Sequence, residues 1–176
     1  MADSLKNMIL DVTVGSKKIY HGWNEKLGDE LLGIDTRKGD FSIPKLKSQW
    51  ADIKIIIEPT VLADLKHLPF CNHVFSAIIF DPPHMSAGLE SWLGRKWGSW
   101  TQHDTIRTVR AANKEFPRVL KANGFLILKV MPRQFPLYET LLKNFRFFFQ
   151  SAPTDNEDPI TIQKENEKEH YGRLAW

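Results

Sequence analysis

Cysteine is nearly missing from this sequence. Cys71 is the single one in 176 residues, which excludes an internal disulfide, and no CxxC or Cys/His spacing offers a structural zinc site. Long hydrophobic runs are missing too. No stretch approaches the roughly 20 apolar residues that span a bilayer, and MADSLKNMILDV has no apolar h-region of a signal peptide. A soluble, cytoplasmic chain without membrane contact is the expectation. Neither sign of charge dominates: the net charge is +3, an ordinary solvated surface as readily as a polyanion-binding one. There is no Walker-type loop and no Ser-His-Asp pattern, and His21, His67, His73, His103 and His170 have no metal-ligand spacing, so no metal is expected. With 42% hydrophobic and 26% charged residues, what remains is a chain able to bury one core, read as a single domain over residues 1–176.

What is present is a series of short apolar runs separated by crossover-length segments. Met8 to Val12, Glu30 to Asp35, the β-branched Ile53 to Ile57, and Phe75 to Phe80 read as four strands. Ile106, Val109, Phe116 and Leu120 fall at helical intervals between Thr101 and Leu120, with Asn123-Gly124 as the stop signal and Phe125 to Val130 as a fifth strand. Tyr138 to Leu142 reads as a helix, Phe145 to Gln150 as a sixth strand, and Arg173 to Trp176 as a short final one. The charged Lys164 to Glu169 run reads as a solvated loop. Near-continuous apolar strands joined by crossovers require a sheet covered on both faces, so the expected fold is an open α/β, mostly parallel Rossmann-like sheet.

Such sheets bind ligands beyond the carboxyl ends of their strands. That rule singles out Asp11, Asp35, Asp64 and Asp81, each at or just after a strand end. Asp81 is followed by two prolines, which fix φ and remove two backbone donors. The acid is thereby held at a rigid tip.

The series Ile9-Leu10-Asp11-Val12 with Gly15, then Gly33-Ile34-Asp35, Ala63-Asp64-Leu65, Asp81-Pro82-Pro83-His84 and Val119-Leu120-Lys121-Ala122-Asn123-Gly124 resembles the class I S-adenosylmethionine-dependent methyltransferases. The likeness covers roughly residues 8 to 150. Its most specific part, Asp81-Pro82-Pro83-His84, is similar to the D/N/S-P-P-aromatic signature of enzymes that methylate exocyclic amino groups of nucleobases, with His84 in the aromatic position.

The resemblance implies a catalytic set of Asp81, Pro82, Pro83 and His84, in which the Asp81 carboxylate and the Pro82 carbonyl grip an amino group and His84 stacks on the base. It implies that S-adenosylmethionine, leaving as S-adenosylhomocysteine, is held by Asp11, Thr13, Gly15, Ser16 and Lys17 of the first loop, by Asp35 at the ribose, and by Asp64 and Leu65 at the adenine. Glycine-broken residues 84 to 104 follow the catalytic strand, where Trp92, Arg95, Lys96, Trp97 and Trp100 combine aromatic faces with cations suited to unpaired bases and phosphates. The expected activity is methyl transfer to N6 of adenine or N4 of cytosine in DNA. RNA is the alternative nucleic acid, with a small-molecule amine enzyme or a non-catalytic binding module as rivals. With no room for a separate target-recognition domain, a homodimer or a specificity partner is expected to select the target.

Overall fold

A computed structural model describes residues 8–16, 30–41, 54–83, 88, 91–131, 134–147 and 160–164. Their centre is a seven-stranded sheet in the order β5 (Val61–Leu62), β2 (Leu31–Asp35), β1 (Ile9–Asp11), β6 (Phe75–Phe80), β7 (Leu120–Leu128), β9 (Ile160–Lys164) and β8 (Phe145–Phe147). The first five run parallel, while β9 is antiparallel to both of its neighbours. This is the expected open α/β sheet, and its first strand lies in the middle of the five parallel ones. Leu10 sits opposite Leu32 on one side and Ile78 on the other.

The central strands are near-continuous apolar runs whose side chains are largely buried. Leu10, Ile34, Phe75, Ile78, Phe80, Leu126 and Leu128 are fully buried. Each such side chain contributes about 1.5–3 kcal/mol by leaving water. Helix α2 (Gln102–Val119), by contrast, buries a single stripe: Thr108, Val109, Ala112, Phe116 and Val119. Thr101 starts it with a reciprocal capping box, its hydroxyl accepting from the Asp104 amide while Asp104 accepts from the Thr101 amide. Phe116 then meets Phe80 edge-on at 5.3 Å, and Tyr138 of helix α3 (Phe135–Leu141) meets the same ring at 6.1 Å. The crossover segments expected over the other face, 17–29 and 42–53, lie outside the described residues.

Four expectations are corrected. The Ile53 to Ile57 run does not supply the third strand of the main sheet; Val61–Leu62 does, while β4 (Ile56–Ile57) pairs antiparallel with β3 (Gly39–Asp40) in a separate ribbon. Asn123-Gly124 does not stop the helix. Strand β7 begins at Leu120 and runs through them with a shift in register, and a Cβ on Gly124 would stand 3.1 Å from the Ser76 carbonyl. The close approach of the two strands there requires glycine. The closing strand of the sheet is Ile160–Lys164, a segment in which no strand was anticipated, while Arg173 to Trp176 lie outside the described residues. Finally, the glycine-broken segment holds a short helix, α1 (Trp92–Trp97), because the Ser91 hydroxyl accepts from the Gly94 amide and Gly98, at φ 78°, ends it. No helix among the described residues is long and apolar enough to cross a membrane.

Candidate active site

Parallel strands point their carboxyl ends the same way, so the loops after β1, β2, β5 and β6 meet along one edge. There they enclose a cleft of about 220 Å³ walled by Thr13, Asp35, Asp64, Leu65, Asp81, Pro83, Trp97 and Trp100, all expected site residues, and by Arg37, Lys66, Ser99 and Thr108, which were not anticipated.

Asp81 is held through its backbone. Its amide donates to the Thr13 hydroxyl at 2.8 Å, and that hydroxyl donates in turn to Asp11 Oδ1 at 3.3 Å. Asp11 also accepts from the Thr13 amide at 2.7 Å. Asp11 is fully buried and stands behind the cleft wall, so its observed part is to set Thr13 rather than to line the cleft. The Asp81 side chain is 12% exposed, and Lys129 Nζ lies 3.8 Å from Oδ2, too far for a hydrogen bond. The carboxylate is thus ion-paired with Lys129 at the long end of contact distance. Pro82 is buried behind Asp81, and Pro83 packs on the segment after α1. His84 lies outside the described residues.

The other two acids have closer cations. Asp35, 9% exposed, is forked by Arg37, whose Nε and Nη2 each lie 3.1 Å from a different carboxylate oxygen, while the Arg37 amide donates to Oδ1 at 2.8 Å. Arg37 Nη1 also donates to the Arg95 carbonyl at 3.0 Å, tying the tip of β2 to α1. Asp64 accepts from the Lys66 amide at 2.9 Å and pairs with Lys66 Nζ at 2.8 Å. Desolvation pushes the Asp64 carboxyl up, but its bonds to Lys66 outweigh this and hold it below the ordinary value of 3.8.

Gly15 has φ 47°, and a Cβ there would meet nothing closer than the Thr13 carbonyl at 3.7 Å, so the backbone is open on that side. Among the described residues, the buried Ser16 hydroxyl has no hydrogen-bond partner. Lys17 lies outside the described residues. Of the aromatic segment, Trp97 is 44% exposed at the cleft with Lys96 Nζ 4.1 Å over its ring, and Trp100 leans on Phe80 at 6.3 Å. Arg95 and Lys96 do not line the cleft, and Trp92 opens α1.

Arg37 was the principal omission. Its signal was present in Asp35-Thr36-Arg37, since residues two apart at the end of a strand point to the same side and an acid there recruits a cation.

No protein-family model matches the sequence, and no curated protein does. Solved structures resemble it in fold. A Sulfolobus solfataricus protein assigned as a type 11 methyltransferase aligns over 94% of this chain and 88% of its own, with 14% identity and a TM-score of 0.50. A Streptococcus mutans protein assigned as a methyltransferase, solved with S-adenosylhomocysteine, aligns over 91% and 87% with 13% identity and a TM-score of 0.46. An rRNA methylase from Streptococcus thermophilus aligns over 90% and 87%, again with 13% identity and a TM-score of 0.46. The fold of the first of these is shared, and the strand order β5-β2-β1-β6-β7 reproduces the Rossmann order 3-2-1-4-5. The chain has the Rossmann-like fold of the S-adenosylmethionine-dependent methyltransferases.

Proposed function

We propose that the protein transfers a methyl group from S-adenosylmethionine to an exocyclic amino group of a nucleobase in DNA. The observation that carries this reading is Asp81: a carboxylate at the tip of a central strand, inside a cleft, its backbone fixed by Thr13 and by two following prolines.

The residues present fit the cofactor. Asp35 keeps one acceptor position on Oδ2 beyond the three bonds that Arg37 makes to it, enough to accept one ribose hydroxyl. The Ser16 hydroxyl, without a hydrogen-bond partner among the described residues, and the open backbone at Gly15 lie in the loop beside the cleft rather than in its wall and suit the polar end of an amino acid, and Leu65 with Asp64 offers an apolar surface beside an acceptor for an aminopurine. S-adenosylmethionine bound there supplies an electrophilic methyl group.

The rest is the work of this chain's own groups. A base amine is a weak nucleophile because its lone pair is delocalised into the ring. Asp81 and the Pro82 carbonyl accept its two N–H groups, favouring a tetrahedral nitrogen and stabilising the positive charge that grows there. Pro82 and Pro83 hold the acceptors so that no reorganisation is needed at the moment of reaction. Trp97 and Trp100 give the base aromatic walls.

The test is methyl transfer from tritiated cofactor to single-stranded DNA, duplex DNA and tRNA. Asp81→Asn should lower kcat by about 100- to 1,000-fold, as loss of one preorganised charge-stabilising group does, and leave cofactor affinity within about twofold. Unchanged turnover in that variant refutes the reading. A signal confined to tRNA refutes DNA as the substrate.

A further inference from the structure

Beside the cleft runs a second depression of about 490 Å³, between the chain after β5 and the outer face of α2. Lys66 belongs to both walls, so the two depressions adjoin at that residue. The α2 side presents His103, Arg107, Arg110 and Lys114 at intervals of three and four, all exposed, with Ile106 and Ala111 between them. The spacing places the three cations Arg107, Arg110 and Lys114, with the His103 ring, in a row along one face. From His103 to Lys114 the helix rises about 16 Å at 1.5 Å per residue, long enough to run beside a few successive phosphates of a single strand.

The acids nearby are already engaged. Glu115, the carboxylate in the groove wall, bonds Arg118 at 2.6 Å and the Leu68 amide at 2.8 Å. Asp104 is occupied by the Thr101 cap and stands 3.7 Å from an Arg107 that is 62% exposed. Among the described residues no carboxylate pairs with Arg110 or Lys114. The groove is therefore positive along its length with apolar patches at its floor, the complement of a sugar-phosphate chain.

We infer that this groove carries the phosphate backbone of a single polynucleotide strand, leading it toward the cleft where one of its bases is presented. The inference rests on the proposed function for the fate of that base, and on the groove alone for the binding of the strand. Two phosphate-bearing strands share this chemistry, and separate DNA and RNA arms distinguish them.

The experiment is fluorescence anisotropy of labelled 20-nucleotide single-stranded DNA and RNA between 50 and 200 mM salt, without cofactor. The variant Arg107→Ala/Arg110→Ala/Lys114→Ala changes three exposed side chains and should keep its circular dichroism and its cofactor affinity. Its Kd for the preferred strand should rise at least tenfold at 50 mM salt, and the slope of log K against log salt should fall by about 2, at about 0.7 per phosphate contact on a single strand. Lys54→Ala, an exposed cation ahead of β4, should change neither. An unchanged Kd and slope in the triple variant overturns the inference, as does failure of the unmodified protein to bind either strand at 50 mM salt. Displacement of the strand by polyglutamate at equal charge concentration assigns the groove to an acidic protein and likewise overturns it. Salt-dependent binding lost in the triple variant, with no methyl transfer by the unmodified protein, upholds the groove and refutes the proposed function. Methylation of both strands unaffected by the triple variant does the reverse.

Discussion

Tyr138 is fully buried, yet among the described residues its hydroxyl has no hydrogen-bond partner. Burial drives its pKa far up, and the negative charge of Asp81 adds to the shift, so the phenol stays neutral at any working pH. An unsatisfied buried hydroxyl costs about 1–3 kcal/mol. Tyr138→Phe keeps the ring contact with Phe80 and should raise stability by about that amount in urea denaturation with an unchanged slope; a loss of stability would reveal a partner for the hydroxyl. A sequence reading can identify Tyr138 as a core residue from its helical spacing. It cannot see that its oxygen finds no hydrogen-bond partner among the described residues, because that depends on neighbours brought in from β6. Asp81 was the more legible residue, since an acid between an apolar strand and two prolines has few purely structural uses.

At the level of elements, α1 is held by contacts to chain distant in sequence. Arg37 bonds the Arg95 carbonyl, and Gly98 sits against Pro83 with φ 78°, where a Cβ would stand 3.3 Å from Cγ of the proline ring. Gly98→Ala places a side chain in a backbone region essentially reserved for glycine (φ 78°, ψ 174°), a cost of about 1–3 kcal/mol, and presses on the turn at Pro83. Methyl transfer should fall at least tenfold at a temperature where circular dichroism shows the variant folded; full activity would mean that the turn and α1 move independently. Strands β6 and β2 and helix α2 were readable because their apolar periods are long and unambiguous. The Ile53 to Ile57 run misled because β-branched composition reports a half-buried extended segment and says nothing of which sheet it joins. Helix α1 was obscured by its glycines, whose cost a serine cap and tertiary contacts offset.

For the whole molecule, Glu115 and Arg118 fasten α2 to the connection between β5 and β6. Arg118 donates to Leu68 O at 2.8 Å and Phe70 O at 2.7 Å, and Glu115 accepts from the Leu68 amide. Its bond to Arg118, opposed by desolvation and aided by Leu68, holds the Glu115 carboxyl below the ordinary value of 4.5. A depressed folded-state pKa contributes stability that is fully present above the ordinary value and lost as pH falls through the lower, folded one. Thermal midpoints should therefore drop as pH is taken below about 4.5. In Glu115→Gln that acid-sensitive part should flatten, with about 1.5–3 kcal/mol already missing at neutral pH, as for a lost charged hydrogen bond. Parallel acid profiles for the two proteins would place the sensitivity elsewhere. Sheet class and the acid-bearing edge could be read from strand patterning, whereas the Glu115–Arg118 clasp could not, because it joins segments whose proximity only the finished sheet decides.

The strand order also has a bearing on how the protein is made. Thr13 and Asp81 are 68 residues apart in sequence, yet one hydrogen bond joins them. At 5–20 residues per second, a ribosome needs roughly 3 to 14 s to travel between them. For that interval strand β1, which pairs with β2 and β6, lacks its β6 partner. The half of the chain that carries Asp11 and Asp35 is therefore made with an open strand edge, prone to aggregation until the half that carries Asp81 arrives.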